Sequence, residues 1–302
     1  KKPSLITLFL MVGEAVIESV IPYITATFLI NELSQAAQKG EPIRIGYIVQ
    51  IGLVLALMAM CSLACGGFAG FTCAKASSGF AKNLRHDLFE KVQGFTFANI
   101  DKFSSSSLVT RVTTDVNNVQ MSYMMIIRTA IRCPLMLIFS VVMAAYMGGW
   151  LACTFAVVIP VLGAGLLLIG KKAMPAFHRV FRKYDRLNES IEENVRGMRV
   201  VKGFAREDYE KEKFGHGADS ICEDFTKAEK IVAYNTPLMT FCMYFNMTVI
   251  LLLGSFMAIN GYGGVQIGQI SALLTYGMQI LMSLMMLSMI YVILTMSAES
   301  FK

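Results

Sequence analysis

From Gly46 the apolar residues keep helical spacing to Phe97, and the length of that run constrains the fold more than any other feature. About 52 residues of helix extend about 78 Å at 1.5 Å per residue, whereas a whole bilayer measures roughly 40 to 45 Å. The first half, Gly46 to Cys73, is continuously apolar. From Lys75 onward Lys82, Arg85, Asp87, Glu90 and Lys91 enter while Phe80, Leu84, Leu88 and Val92 hold the helical repeat. The segment therefore reads as a membrane helix that continues into water as an amphipathic one. Trp150 to Val201 repeats the design, apolar to Gly170 and then mixed through Arg179, Arg182, Asp185, Glu189, Glu192 and Glu193.

The same pattern predicts six spans, at 3–31, 46–97, 116–147, 150–201, 220–259 and 267–297, in an all-α polytopic membrane protein. Gly148-Gly149 and Asn260-Gly261-Tyr262-Gly263-Gly264 make short turns on one side, where only the link from Ser34 to Ile45 has any size. Of the 27 Lys and Arg, Lys39 and Arg44 alone fall on that short-link side. Cations accumulate on the cytoplasmic side, so both termini and both long links are expected in the cytosol, in a multi-pass protein of the cell membrane.

Composition removes several other classes. With 302 residues, 55% hydrophobic content and a mean hydropathy of +0.56, the chain is too apolar for an ordinary soluble domain. Its net charge of +6 lies on the cytoplasmic flanks, where membrane orientation accounts for it, so no nucleic-acid partner is expected. Seven cysteines (Cys61, Cys65, Cys73, Cys133, Cys153, Cys222, Cys242) fall mostly within apolar spans and lack zinc-site spacing. His86, His178 and His216 are isolated, and neither a catalytic nor a metal role is assigned to any residue. Lys1 and Lys2 precede an apolar stretch too long for a signal-peptide core, so the first span is retained. The start without Met and the end at Glu299 to Lys302 read as those of a piece of a longer polypeptide.

At the ends of the two overrunning hairpins the pattern changes, at 98–115 and 203–217. The first holds four consecutive serines; the second is dense in charge and bounded by glycines. Such segments dock into a cleft of another domain or are merely solvated turns. Holding a tip some 30 Å from the bilayer costs ordering entropy that a plain connection does not need, which favours docking.

The stretch IDKFSSSSLVTRVTTDVNNVQ from Ile100 resembles the first intracellular loop of ABC exporter transmembrane domains of the type IV fold, with Asp101, Leu108, Arg111, Asp115 and Val116 in the family's places. Ile100 replaces the usual aromatic residue, and Ser105-Ser106 replace Thr-Gly, as is typical of the heterodimeric multidrug branch of bacterial half-transporters. EENVRGMRVVKGFAREDYEKEKF from Glu192 is similar to the second intracellular loop, through Gly197, Val200-Val201, Phe204, Glu207, Glu210 and Phe214, and the stretch from Met278 resembles the sixth helix. The resemblance covers essentially the whole chain. It implies six helices per subunit, exchange of the fourth and fifth with a second half-transporter (a heterodimer, with a homodimer as the alternative), and alternating access driven by ATP. By the same resemblance Asp101, Ser105, Ser106, Leu108, Arg111, Phe204, Glu207, Tyr209, Glu210 and Phe214 couple to nucleotide-binding domains.

No G-x-x-x-x-G-K-[ST] phosphate loop occurs in the sequence. ATP and Mg are therefore expected in a nucleotide-binding domain that follows the sixth helix in intact half-transporters, and this chain is expected to hold no cofactor itself.

Ionisable residues inside a span are functional candidates, since each costs a few kcal/mol at mid-membrane. Glu14 and Glu18 lie one helical turn apart in the first span, and Arg128 and Arg132 repeat the spacing in the third. Counted inward at about 1.5 Å per residue, Glu14 and Arg128 lie roughly 25 to 28 Å deep and Glu18 and Arg132 roughly 19 to 22 Å. The matched depths predict a ladder of two ion pairs facing a translocation cavity, which either recruits charged substrate groups or is a structural clamp; snorkelling arginines are the plain alternative. Met278, Met282, Met285 and Met289 form one stripe of the sixth helix beside Tyr276, Gln279, Ser283 and Met286, and Thr236, Met239, Met243 and Asn246 a comparable one on the fifth. Flexible thioethers suit a promiscuous apolar cavity and equally suit helix packing. Pro22, Pro134, Pro160 and Pro237 are candidate bend points.

The expected function is the membrane half of an ATP-driven exporter moving amphipathic drugs, lipids or peptides out of the cytosol, with the lipid bilayer and nucleotide-binding domains as partners. An ATP-independent secondary transporter or channel would also explain six spans. It would not explain helices that overrun the bilayer twice in the same pattern.

Overall fold

The computed structural model describes residues 2–39, 44–95, 105–262 and 265–299, with the side chains of 105–107 and 292–299 outside the description. All regular structure among the described residues is helical. In chain order the α-helices are α1 (Lys2–Ile24), α2 (Asn31–Lys39), α3 (Ile45–Gln93), α4 (Ser105–Thr110), α5 (Val116–Met125), α6 (Ile131–Gly148), α7 (Cys153–Arg196), α8 (Met198–Gly203), α9 (Glu207–Ala233), α10 (Asn235–Ile259) and α11 (Ile267–Glu299). Wider π turns at Thr25–Ile30, Arg111–Asp115 and Ile126–Ala130 interrupt the α geometry, and a 3-10 turn joins α6 to α7 at Gly149–Ala152.

Five continuous helical runs among the described residues are long and apolar enough to cross a membrane: Lys2–Lys39, Ile45–Gln93, Leu108–Arg196, Glu207–Ile259 and Ile267–Tyr291. The longest contains the Gly148-Gly149 turn, where Gly149 takes φ +47°, a conformation open mainly to glycine. The overrun read from the sequence is present in α3, whose 49 residues extend about 73 Å.

The chain forms two compact units, residues 1–160 with 242–302, and residues 161–241. In the first, side-chain contacts fix the helix directions. Thr7 meets Thr72 and Glu14 meets Gly66, so α1 and α3 are antiparallel. Ser19 reaches Met136 and Thr27 reaches Met147, so α1 and α6 are parallel. Tyr276 bonds the Ser19 carbonyl while the Gly268 amide bonds Asn31, which sets α11 antiparallel to α1. Ile270 packs on Gly254 and Gly277 on Asn246, which sets α10 antiparallel to α11 and hence parallel to α6. The core lies where these helices meet, around Leu151, Phe155, Ile250, Leu273, Tyr276 and Ile280. Beyond it, α3 runs antiparallel to α5, tied by the stacked rings of Phe80 and Tyr123, with centroids 4.5 Å apart, and by Arg85 donating to Asn117 Oδ1 at 2.6 Å.

The second unit is a hairpin of α7 and α9. Contacts step along it in register: Gly165 against Leu238, Phe177 edge-on to Phe225, Lys183 bonding Ser220 and Asp224, Leu187 against Gly217, and Asn194 donating to Glu210. Leu162, Leu166, Ala173, Ala176, Val180, Ile221 and Ala228 are buried along the seam.

Some boundaries differ from the sequence expectation. The helical run expected from 220 begins at Glu207, because Gly215 and Gly217 are inside α9; Gly217 brings α9 close against Leu187 and does not end it. The external link is partly helical, as α2. Pro237 stands three residues after the break at Tyr234 that divides the run Glu207–Ile259 into α9 and α10, as expected of a residue that lacks an N–H. Pro22 and Pro134 each lie within a few residues of a π turn, where the wider ring accommodates a lost bond.

Candidate functional site

Inside the first unit, α1 brings Glu14 and Glu18 onto one face, and the first turn of α6 brings Arg132 to meet them. Arg132 Nη2 lies 2.7 Å from both carboxylate oxygens of Glu18 and 3.2 Å from Glu14 Oε1. The Glu14 side chain is only 10% exposed, Glu18 27% and Arg132 35%, so the cluster has a closed end at Glu14 and an open edge at Glu18 and Arg132. Glu14 fits because α3 offers Gly66: a Cβ there would stand 3.0 to 3.2 Å from the carboxylate atoms. Glu14 Oε2 is buried without a hydrogen-bond partner.

This pairing departs from the two-rung ladder. Arg132 serves both glutamates, whereas Arg128 is exposed and makes no ion pair among the described residues. Arg128 lies in the π turn Ile126–Ala130, and a π turn takes in one residue more than an α turn. The angular register between positions 128 and 132 is therefore not the α-helical one that the spacing assumed.

The stripes on the last two helices divide between packing and open faces. Tyr276 is 0% exposed and donates to the Ser19 carbonyl at 2.8 Å, Ser283 is buried and donates to the Gln279 carbonyl, and Gln279 Oε1 accepts from Ser140. Met278, Met282, Met285, Met286 and Met289 are exposed on α11. Asn246 is buried against Gly277, its Oδ1 unpartnered, with Met243 beside a small void of about 10 Å³; Met239 is half-buried one turn away. A larger cavity of about 770 Å³ lies at the other end of the unit, lined by Asn31, Ser34, Gln35, Gln38, Ser255 and Gln266.

At the hairpin's end the chain turns through Gly197, α8 and Arg206. Phe204 is 77% exposed, with Val200 and Met198 also open, beside a groove of about 500 Å³ lined by Ile191, Val195, Val201 and Phe214. Glu207, Tyr209, Glu210 and Phe214, expected at the tip, lie on the first two turns of α9, where Glu210 ties back to Asn194. Ala205 holds a left-handed φ of +50° that sequence reasoning did not anticipate. Of the first tip, Asp101 lies outside the described residues, as do the side chains of Ser105 and Ser106; Leu108 is half-buried on α4 and Arg111 exposed. On α3, His86 sits beside Asp87 and Glu90, an exposed trio on adjacent turns.

Among the described residues, the Gly170-Lys171 pair does not make a nucleotide phosphate site. A phosphate cradle needs free backbone amides ahead of a lysine, and the Gly170-Lys171 pair lies inside α7, where the amides are taken by the helix.

The family model described as ABC transporter transmembrane region matches residues 4–284. The chain belongs to this family. An uncharacterized ABC transporter ATP-binding protein, YfiB of Bacillus subtilis, is 28% identical over 98% of this chain and 50% of its own length. The uncharacterized ABC transporter ATP-binding protein Rv1273c of Mycobacterium tuberculosis is 26% identical over 82% of this chain and 42% of its own. An ATP-dependent lipid A-core flippase of Pseudomonas savastanoi is 26% identical over 68% of this chain and 35% of its own. The ABC transmembrane domain described here thus spans half or less of the length of these relatives, and it is a multi-pass membrane protein.

Proposed function

We propose that this domain, residues 1–302, is the membrane half of an ATP-driven ABC exporter that moves amphipathic drugs, lipids or peptides out of the cytosol by alternating access. It pairs with a second half-transporter as a heterodimer, the arrangement that Ser105-Ser106 favour by resemblance, and nucleotide-binding domains outside these residues supply ATP and Mg. The chain crosses six times with both ends cytosolic. Support comes from direction: α6 and α10 run parallel in one unit, so a crossing of opposite sense has to lie between them. The cation bias supports the orientation.

The observation that carries the reading is the α7–α9 hairpin, held in register by paired side chains and ending in the exposed Phe204. Rigid antiparallel legs convey force only if their end engages something, and an exposed aromatic beside an apolar groove is suited to that. Asp101, Ser105, Ser106, Leu108, Arg111, Glu207, Tyr209, Glu210 and Phe214 complete the coupling surface. The open methionine face of α11 (Met282, Met286) faces cargo, and Met239, Met243, Asn246, Tyr276, Gln279 and Ser283 shape the wall behind it. The flippase among the relatives makes a lipid-like amphiphile a natural first cargo. Reconstitution of the complete gene product in liposomes tests this: ATP-dependent movement of fluorescent amphiphiles is expected, and ATP-independent flux down a gradient would overturn it.

A further inference from the structure

The Glu14, Glu18 and Arg132 cluster lacks one positive charge. Two carboxylates face one guanidinium, and all three contacts run to a single nitrogen, Nη2, which lies 2.7 Å from both oxygens of Glu18 and 3.2 Å from Glu14 Oε1. Glu14, nine-tenths buried, keeps an oxygen with no partner at all. A buried carboxylate oxygen is costly to leave unpaired, and Arg128, the nearest further cation by sequence, is exposed and reaches Glu14 through its field alone, with no ion pair between them among the described residues. A structural clamp alone would be expected to balance its charges and fill its lone pairs. This one does neither.

We infer that the cluster recognises the cationic head of an amphipathic substrate, resting on the exporter reading above and naming its cargo. The cation docks at the open edge, on Glu18. Arg132, released from Glu18, settles on Glu14 and gives Oε2 its missing partner, so that both carboxylates are paired. Glu18 contacts the substrate; Glu14 and Arg132 position and exchange the charge. Gly66 leaves the space in which the Glu14 carboxylate itself sits.

The test uses the complete transporter, with nucleotide-binding domains and partner, in inside-out vesicles. The probes are a fluorescent alkyl amphiphile with a trimethylammonium head and its uncharged isostere with a tert-butyl head. Wild type is expected to move both, and Glu18→Gln to lose at least tenfold in transport of the cationic probe while keeping the neutral one. Equal loss of both, or no change in their ratio, overturns the cation site and leaves the exporter standing. If wild type moves neither probe with ATP, the exporter reading fails, and this inference with it. Where Glu18→Gln does not fold, melting of the wild type decides: the cationic probe is expected to raise the melting temperature more than its isostere does, and equal shifts overturn the inference.

Discussion

The Glu14 carboxylate rests on Gly66, across the α1–α3 contact, at a distance that leaves no room for a side chain. Because Arg132 holds the same carboxylate from the other side at 3.2 Å, Glu14 has nowhere to retreat. Gly66→Ala is therefore expected to destabilise the domain by about 1–3 kcal/mol, the usual cost of overpacking. Most of that loss should vanish in a Glu14→Ala background, a non-additivity that thermal melts of the four variants in detergent would reveal.

Two glycines of α11 separate a yielding neighbour from an unyielding one. A Cβ at Gly268 meets the Ala26 backbone carbonyl and Asn31 Oδ1, whereas a Cβ at Gly277 meets the Asn246 amide and the Phe155 ring edge. Side chains can rotate; a carbonyl in a packed helix cannot without moving the helix. Gly268→Ala should lower the melting temperature more than Gly277→Ala, and Asn246→Ala should rescue only the second.

Ala205 occupies the left-handed region with φ +50°, while the Arg206 amide bonds the Val201 carbonyl in the reversal that ends α8. A non-glycine residue pays about 1–2 kcal/mol there, against roughly 0.5–1 for the extra chain entropy of glycine. Ala205→Gly should slow hydrogen exchange in 198–206, and Ala205→Val should speed it.

Length arithmetic made the overrunning helices legible in the sequence, because residue count times rise admits one answer. The contact of Glu18 with Arg132 agrees with the residue count for that rung. What the spacing could not carry was angular register: Arg128, in the π turn at Ile126–Ala130, makes no ion pair with Glu14 among the described residues, and no propensity marks that turn. Gly217 was read as a breaker because composition does not distinguish a glycine that ends a helix from one that lets Leu187 approach. The seat of Glu14 on Gly66 depends on helix pairing, which sequence spacing within one helix does not contain.

Lys183 pairs with Asp224 at 2.7 Å in the charged part of the hairpin, and this hydrogen bond holds the Asp224 carboxyl below the ordinary aspartate value. A depressed carboxylate contributes stability above its unfolded pKa and loses it as pH falls through the folded one. Hydrogen-exchange protection of α7 and α9 should thus stay level from neutrality to about pH 4 and fall below it. Lys183→Met should lower protection at neutral pH and flatten the acid decline. High salt should narrow the gap between the two, since the pair is open to solvent.

The central claim is that the α7–α9 hairpin transmits work through the exposed Phe204 at its end. Its most direct measurement is the ratio of substrate moved to ATP hydrolysed by the complete transporter carrying Phe204→Ala. The account predicts continued hydrolysis with transport reduced tenfold or more; an unchanged ratio would contradict it.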